Sequence, residues 1–331
     1  MLRLIKWLLF LVLCLAVLAA GSVYFYVTQP QPLPAQPFAF SLKQGTSLRA
    51  AAHQLQQQGL LANEQVFVML GRALGKSGQI KAGNYELQAA ASPLELLNML
   101  TKGKIALSEI SIIEGWTFGQ FRAALNASPA VRHDSVALSD TEILQRIGAA
   151  EQQAEGLLFP DTYYFASGAS DLALIRRAYQ TMQQRLQEAW QARDPGLPLE
   201  TPYQALILAS IVEKETGQAR DRDMVAGVFT NRLRKGMLLQ TDPTVIYGMG
   251  EKFDGNLRKR DLLEDTPYNT YTRTGLPPTP IALPGLASLK AALHPAKTDA
   301  LYFVGRGDGS SEFSATLDQH NRAVSKYQLG H

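Results

Sequence analysis

Residues 206–217 read LILASIVEKETG, an apolar run that ends in two carboxylates. A helix advances about 100° per residue, so positions four and seven back share a face with a given residue. Glu215 then continues a stripe formed by Ile211 and Leu208, whereas Glu213 follows Ala209 and Leu206, with Ser210 close by. A carboxylate at the rim of an apolar face is partly desolvated, which disfavours its charged form and raises its pKa. The partial negative charge at a helix C-terminus pushes the same way. A carboxylic acid that keeps its proton near neutral pH can donate it to a leaving oxygen. Glu215 is therefore the first candidate for general-acid work. The structural alternative is a solvated helix end, since many helices finish in Glu and Lys.

The loops that follow offer groups suited to a sugar. LQTDPTVIYGMG (239–250) contributes Gln240 and Asp242, and PYNTYTRTGLPPTPIALPG (267–285) contributes Tyr268, Asn269, Thr270 and Tyr271. Rings stack on the C–H faces of sugars, while amides and hydroxyls read their OH groups. Gln240, Asp242, Tyr268 and Asn269 are the candidates for gripping a glycan or orienting Glu215. Asp242 is also the nearest partner should two carboxylates be needed for hydrolysis. GLLFPDTYYF similarly places Asp161 and Tyr163 after a Pro turn, with Asp161 read as a structural turn carboxylate; His294 before Pro295 reads as structural. No glycine-rich phosphate loop and no GxSxG elbow occurs. One cysteine, Cys14, and five scattered histidines leave no zinc pattern and no intrachain disulfide. A net charge of +3 without a basic stripe gives no reason to invoke nucleic acid.

These residues need elements to hold them. Thr201-Pro202 opens the helix that ends at Glu215. ASDLALIRRAYQTMQQRLQEAWQAR (169–193) is a long amphipathic helix before it, ending short of Pro195. Asp221 is the expected cap of the next helix, which carries Val225, Val228, Phe229 and Leu233 and stops at Gly236. ALYFV and SEFSA flank a glycine-rich turn and predict a hairpin followed by a helix. Together with irregular Pro- and Gly-rich loops they predict an α+β domain over 105–331.

Upstream, 38–104 reads as a small unit. FAFSLKQG alternates like a strand; Thr46 or Ser47 caps a helix with Leu48, Ala51, Ala52 and Leu55, closed by Gly59. A second helix runs through VFVMLGRAL, a strand returns over 82–87, and Ser92 caps LELLNMLTKG. The strand-helix-helix-strand order is similar to a LysM-like module, a small wall-glycan binding fold; a plain spacer domain is the alternative. TQPQPLPAQP (28–37) predicts a semi-rigid spacer. Trp7–Val27 is a 21-residue stretch without a charge, enough to cross a bilayer as a helix. Residues 1–6 carry Arg3 and Lys6, so the N-terminus is expected in the cytoplasm and the remainder across the membrane. A signal peptide cut near Ala19-Ala20-Gly21 is the rival, but the apolar run continues past that point.

ASIVEKET, NRLRKGMLLQTDPTVIYGMG, YNTYTRTGLPP and AALHPAKTDALYFV, with FPDTY and IIEGWTF, closely resemble the MltG (YceG-like) family of membrane-anchored endolytic murein transglycosylases. The match covers nearly the whole chain. The resemblance implies a LysM-like subdomain before an α+β catalytic domain in the periplasm, held at the inner membrane by a single-pass helix. It places the catalytic glutamate, the second of the Glu-x-Glu pair, on Glu215. It implies cleavage of the MurNAc-β-1,4-GlcNAc bond of nascent peptidoglycan strands beside the wall synthases, leaving 1,6-anhydro ends and terminating polymerisation. It implies no cofactor and no metal. Thr279, Leu283 and Glu312 depart from the expected pattern, which leaves loop details open and argues against a role for residue 312. The rivals are a wall hydrolase using Glu215 with Asp242, and a non-enzymatic glycan-binding scaffold.

Overall fold

The computed structural model describes residues 2–34, 38–87, 89–102, 107–166 and 168–328. The chain divides into two compact units, Met1–Ser108 with Tyr164–Gly168, and Glu109–Tyr163 with Ala169–His331. The boundaries expected from sequence at 37/38 and 104/105 fall at segments 35–37 and 103–106, which lie outside the described residues.

The first unit opens with α1 (Leu2–Thr28). By length and composition Phe10–Thr28 could cross a membrane, and Phe10, Leu11, Val17, Leu18 and Phe25 are exposed. Its last turn rests on the unit it introduces: Val27 is buried, and Tyr26 Oη accepts the Asn63 N–H at 2.8 Å. The strand-helix-helix-strand order expected from sequence is present as β1 (Phe38–Leu42), α2 (Leu48–Gln57), α3 (Glu64–Ala73) and β2 (Gly83–Leu87), followed by α4 (Pro93–Lys102). β1 and β2 pair antiparallel, Phe38 opposite Leu87. Ser47 caps α2 by accepting from Ala50 N–H, and Ser92 with Glu95 forms a reciprocal cap on α4. Leu55, Phe67, Tyr85, Leu96, Leu97 and Leu100 fill the core. The spacer expected at 28–37 does not stand free over its described part. Gln31 N–H bonds Ala91 C=O at 2.9 Å, and Leu33 packs against the core, because an apolar residue within reach of an apolar surface is better buried than solvated.

The second unit contains β3 (Leu107–Ser111, from its third residue), α5 (Phe118–Ala127), β4 (Val131–Arg132), α6 (Asp140–Ile147) and β5 (Thr162–Ala166, up to Tyr163). It continues through β6 (Ala169–Ser170), α7 (Asp171–Gln191), α8 (Pro202–Glu215), α9 (Ala219–Arg234), α10 (Asp242–Met249) and α11 (Lys259–Leu263). It ends with α12 (Leu286–Leu293), the antiparallel hairpin β7 (Tyr302–Gly305) and β8 (Ser311–Ser314), and α13 (Leu317–Tyr327). Helix α8 is its axis. Every residue from Ala205 to Val212 is buried, with α7, α9, α10 and α12 packed around it. Such a helix is apolar all round rather than on one stripe, as a central core helix must be. Its one polar core side chain is satisfied twice: Ser210 Oγ donates to Ile207 C=O at 2.7 Å and accepts from Ile281 N–H at 3.0 Å. Thr201 caps its start and Pro202 occupies the first turn, as expected from sequence.

Asp221 does not cap α9. Gln218 stands at the N-cap, and Asp221 lies in the first turn, where its carboxylate accepts Ser311 N–H at 2.7 Å and ties the helix to the hairpin. The buried Asp171 is likewise consumed by backbone, accepting from Asp134 and Ser135 N–H and from the Ser135 hydroxyl.

Candidate active site

The last turn of α8 sends its three polar side chains to three places. Glu213 accepts the N–H of Gly285, the N-cap of α12, at 2.9 Å. A carboxylate at a helix N-terminus is held there by the helix dipole, so Glu213 joins two core helices. Lys214 Nζ reaches Gly115 C=O at 3.3 Å. Glu215 is half-buried and faces a cleft of about 470 Å³. Its Oε2 accepts a 2.6 Å hydrogen bond from Thr241 Oγ1. Burial raises its pKa above the usual carboxylate value; the Thr241 hydrogen bond opposes that rise, Asp242 adds to it and Arg232 reduces it. The two glutamates thus have different surroundings: Glu213 meets the start of α12, and Glu215 faces the cleft.

The cleft is walled by Leu239, Gln240, Asp242 and Tyr271 on one side and by Tyr302, Phe303 and His320 on another, with Arg232 between them. Asp242 opens α10 and is exposed; its Oδ1 accepts from Tyr271 Oη at 2.5 Å. Gln240 has φ +48°, the one non-glycine positive φ among the described residues. Its N–H donates to Thr270 C=O at 3.0 Å. Arg232 is buried and spends its guanidinium on backbone. Nε donates to Leu301 C=O at 2.7 Å, and Nη1 donates to Leu239 C=O at 2.8 Å and Leu238 C=O at 3.3 Å. It lies over the Tyr302 ring, which stacks on His320 with centroids 5.3 Å apart. The His320 imidazole is pushed toward its neutral form by burial and by Arg232.

Of the candidates named from sequence, Gln240 and Asp242 line the cleft with Glu215; Tyr268 and Asn269 do not. Asn269 is fully buried and serves its own loop: Nδ2 donates to Glu264 C=O at 2.7 Å and Leu262 C=O at 3.1 Å, and Oδ1 accepts Tyr271 N–H at 2.8 Å. Tyr268 bonds Thr279 Oγ1 at 2.8 Å and packs edge-on against Tyr247. Asn269 turns the chain, so the ring that reaches the cleft is Tyr271. Sequence reading passed over Thr241 and Arg232; only their places in the long NRLRKGMLLQTDP segment could have flagged them. Asp161 and Tyr163 are structural, with Asp161 Oδ1 accepting Thr162 N–H and Tyr163 Oη donating to Phe159 C=O. His294 pairs with Asp194 at 2.8 Å.

Another carboxylate whose burial matters, Glu155, escaped the sequence reading. Glu155 accepts from Phe118 N–H at 3.0 Å, from Gly156 N–H at 3.3 Å and from Tyr247 Oη at 3.3 Å. Burial outweighs these bonds and pushes it up to about 7. Glu155 is absent from the Glu215 cleft lining.

An α+β unit with one shielded carboxyl at the end of its central helix, opening on a polar and aromatic cleft, defines the class. The model of the YceG-like family matches residues 40–326, and the chain belongs to that family. It is 34% identical to the endolytic murein transglycosylase of Bacillus subtilis, over 87% of this chain and 84% of that protein. It is 27% identical to the protein of the same name from Streptococcus pneumoniae, over 95% of this chain and 63% of that longer protein. A solved YceG-like protein of Listeria monocytogenes superposes with a TM-score of 0.55 at 29% identity, covering 87% of this chain and 98% of that one.

Proposed function

We propose that this chain is an endolytic murein transglycosylase that cleaves the MurNAc-β-1,4-GlcNAc bond without water, with Glu215 as general acid and then general base. The observation that carries the reading is the Glu215 carboxyl itself, shielded at the end of α8 and facing the cleft with its pKa raised. The relatives' shared name supports the substrate class. Neutral Glu215 gives its proton to the glycosidic oxygen, and the C1–O bond breaks with an oxocarbenium-like transition state. The leaving GlcNAc takes that proton as its 4-hydroxyl. Glu215, now a carboxylate, removes the proton from the muramic C6 hydroxyl as its oxygen attacks C1. The 1,6-anhydro ring closes, Glu215 is reprotonated, and no water is consumed. One carboxyl serves both steps.

In this reading α1 anchors the enzyme as a single-pass helix in the inner membrane. Arg3 and Lys6 keep its N-terminus in the cytoplasm and the rest in the periplasm, beside the synthases whose nascent strands it cuts and so terminates. The β1-α2-α3-β2 unit would act as a LysM-like glycan-binding module, a role supported by its element order. Gln240 and Asp242 stay as supporting residues because they line the cleft; Tyr268 and Asn269 would act through the loop that presents Tyr271. Glu215→Gln tests the assignment in the full-length protein in detergent. Turnover of uncrosslinked peptidoglycan is expected to fall by about three orders of magnitude or more with the unfolding midpoint unchanged. Turnover near the parent rate would remove Glu215 from the chemistry.

A further inference from the structure

We propose that Thr241 is a positioning residue for Glu215: its hydroxyl holds Oε2, so that Oε1 carries the proton transferred in the reaction. The inference rests on the acid-base reading of Glu215 and goes beyond it by assigning the two oxygens different tasks. Three observations support it.

Thr241 stands at the N-cap of α10, where a threonine hydroxyl ordinarily accepts an N–H from the first turn. Here no such side-chain cap bond exists. The hydroxyl is turned to Glu215 instead, at 2.6 Å, a length typical of an O–H donor on a carboxylate oxygen. The cap has been diverted to the site.

The backbone that delivers Thr241 is built for this. Gln240 is held at φ +48°, a conformation L side chains rarely adopt. Arg232 clamps the two preceding carbonyls, Leu238 and Leu239. Thr270 receives Gln240 N–H on its carbonyl and Thr241 N–H on its hydroxyl, at 3.0 and 3.1 Å. Thr244 closes the set, donating to Thr241 C=O and meeting Thr270 Oγ1 at 2.9 Å. Strained backbone over-determined by its surroundings is the signature of a functional constraint.

The third observation is chemical. A threonine hydroxyl has one proton, and here it is given to Oε2. With Oε2 occupied as an acceptor, the acid proton of neutral Glu215 belongs on Oε1. The same oxygen later accepts the proton of the attacking hydroxyl, so the carboxyl need not rotate between steps. The bond also strengthens when Glu215 ionises, because a charged acceptor binds the donor more tightly. Thr241 thus restrains the rise in proton affinity that burial and Asp242 impose on Glu215.

The test uses the full-length protein in detergent with uncrosslinked peptidoglycan. Thr241→Val removes the donor at nearly constant shape; Thr241→Ser keeps it. For Val, kcat is expected to fall about tenfold to hundredfold, with KM within about twofold and the basic limb of the pH–rate profile displaced upward. Ser is expected to stay within about threefold of the parent with its limbs in place. The Glu215 carboxyl is followed independently by carbon-13 NMR titration, assigned with Glu215→Gln, and is expected to titrate at higher pH in the Val variant. Unmoved limbs, an unmoved titration, or a Ser variant as impaired as Val would each overturn the proposal. If Val does not fold, Thr241→Cys, a weak donor, replaces it with the same expectations. Failure of the parent reading shows elsewhere, as turnover by Glu215→Gln, while the titration still reports on Thr241.

Discussion

Glu155→Gln should stabilise the protein at neutral and alkaline pH. The native carboxyl is 8% exposed, and its pKa is pushed from 4.5 to about 7. A difference of that size corresponds to roughly 3 kcal/mol between protonated and ionised forms. The native state binds this proton more tightly than the unfolded chain. Its advantage is therefore complete below about pH 4.5 and is lost as pH rises toward 7. Above that, an ionised carboxylate sits where water cannot reach it, with the Phe118 and Gly156 N–H groups as partial compensation. Glutamine keeps an oxygen for those two donors and offers its amide N–H to Tyr247 Oη in place of the bond that group now donates. The variant should melt higher by about 6–12 °C at pH 8, taking about 2–4 °C per kcal/mol for a unit of this size. The gain should shrink to about a quarter of that by pH 5 and to near zero by pH 4. Thermal unfolding followed by circular dichroism across that range reads both the gain and its slope. Equal midpoints at pH 8, or a gain independent of pH, would refute the claim that burial governs Glu155.

Three further outcomes follow from the geometry. Asp242→Asn removes a negative charge that raises the Glu215 pKa, so the basic limb of the pH–rate profile should move to lower pH, the opposite direction from Thr241→Val. Gly156→Ala should cost about 2 kcal/mol or more by urea titration, because φ is +80° and the new Cβ would lie 2.3 Å from Pro280 Cβ. Gln240→Gly should retain the fold, while Gln240→Ile should lose about 1–2 kcal/mol in the same titration, since a β-branched residue resists the left-handed conformation that position 240 adopts.

Local chemistry made much of the architecture legible. Ser47, Ser92 and Thr201 announce their helices by side-chain capping, and Gly59 and Gly236 end theirs at positive φ. A helical stripe singles out Glu215 in the sequence, yet α8 is buried all round from Ala205 to Val212; what separates Glu213 from Glu215 in the structure is the start of α12, 72 residues on, which takes up Glu213. Asp221 misled because an acidic residue suits both a cap and a first turn, and the hairpin N–H that decided the matter lies 90 residues away. Tyr268 and Asn269 misled for a related reason. Composition shows that a loop is suited to sugars, but the turn made by Asn269 determines which ring faces Glu215. Arg232, Thr241 and Glu155 act through partners distant in sequence or through loops without a period, so no local pattern marks them. The expected spacer at 28–37 carries an apolar residue, Leu33, between Pro32 and Pro34, and over the described part that side chain packs against the core.

The central claim is that Glu215 drives cleavage without water, and oxygen-18 tests it most directly. Full-length protein in detergent is incubated with uncrosslinked peptidoglycan in oxygen-18 water, with Glu215→Gln alongside, and new strand ends are read by mass spectrometry. The account predicts 1,6-anhydro ends free of label, absent with the variant. Labelled reducing ends would contradict it, making water the nucleophile and Asp242 the first residue to examine as its base.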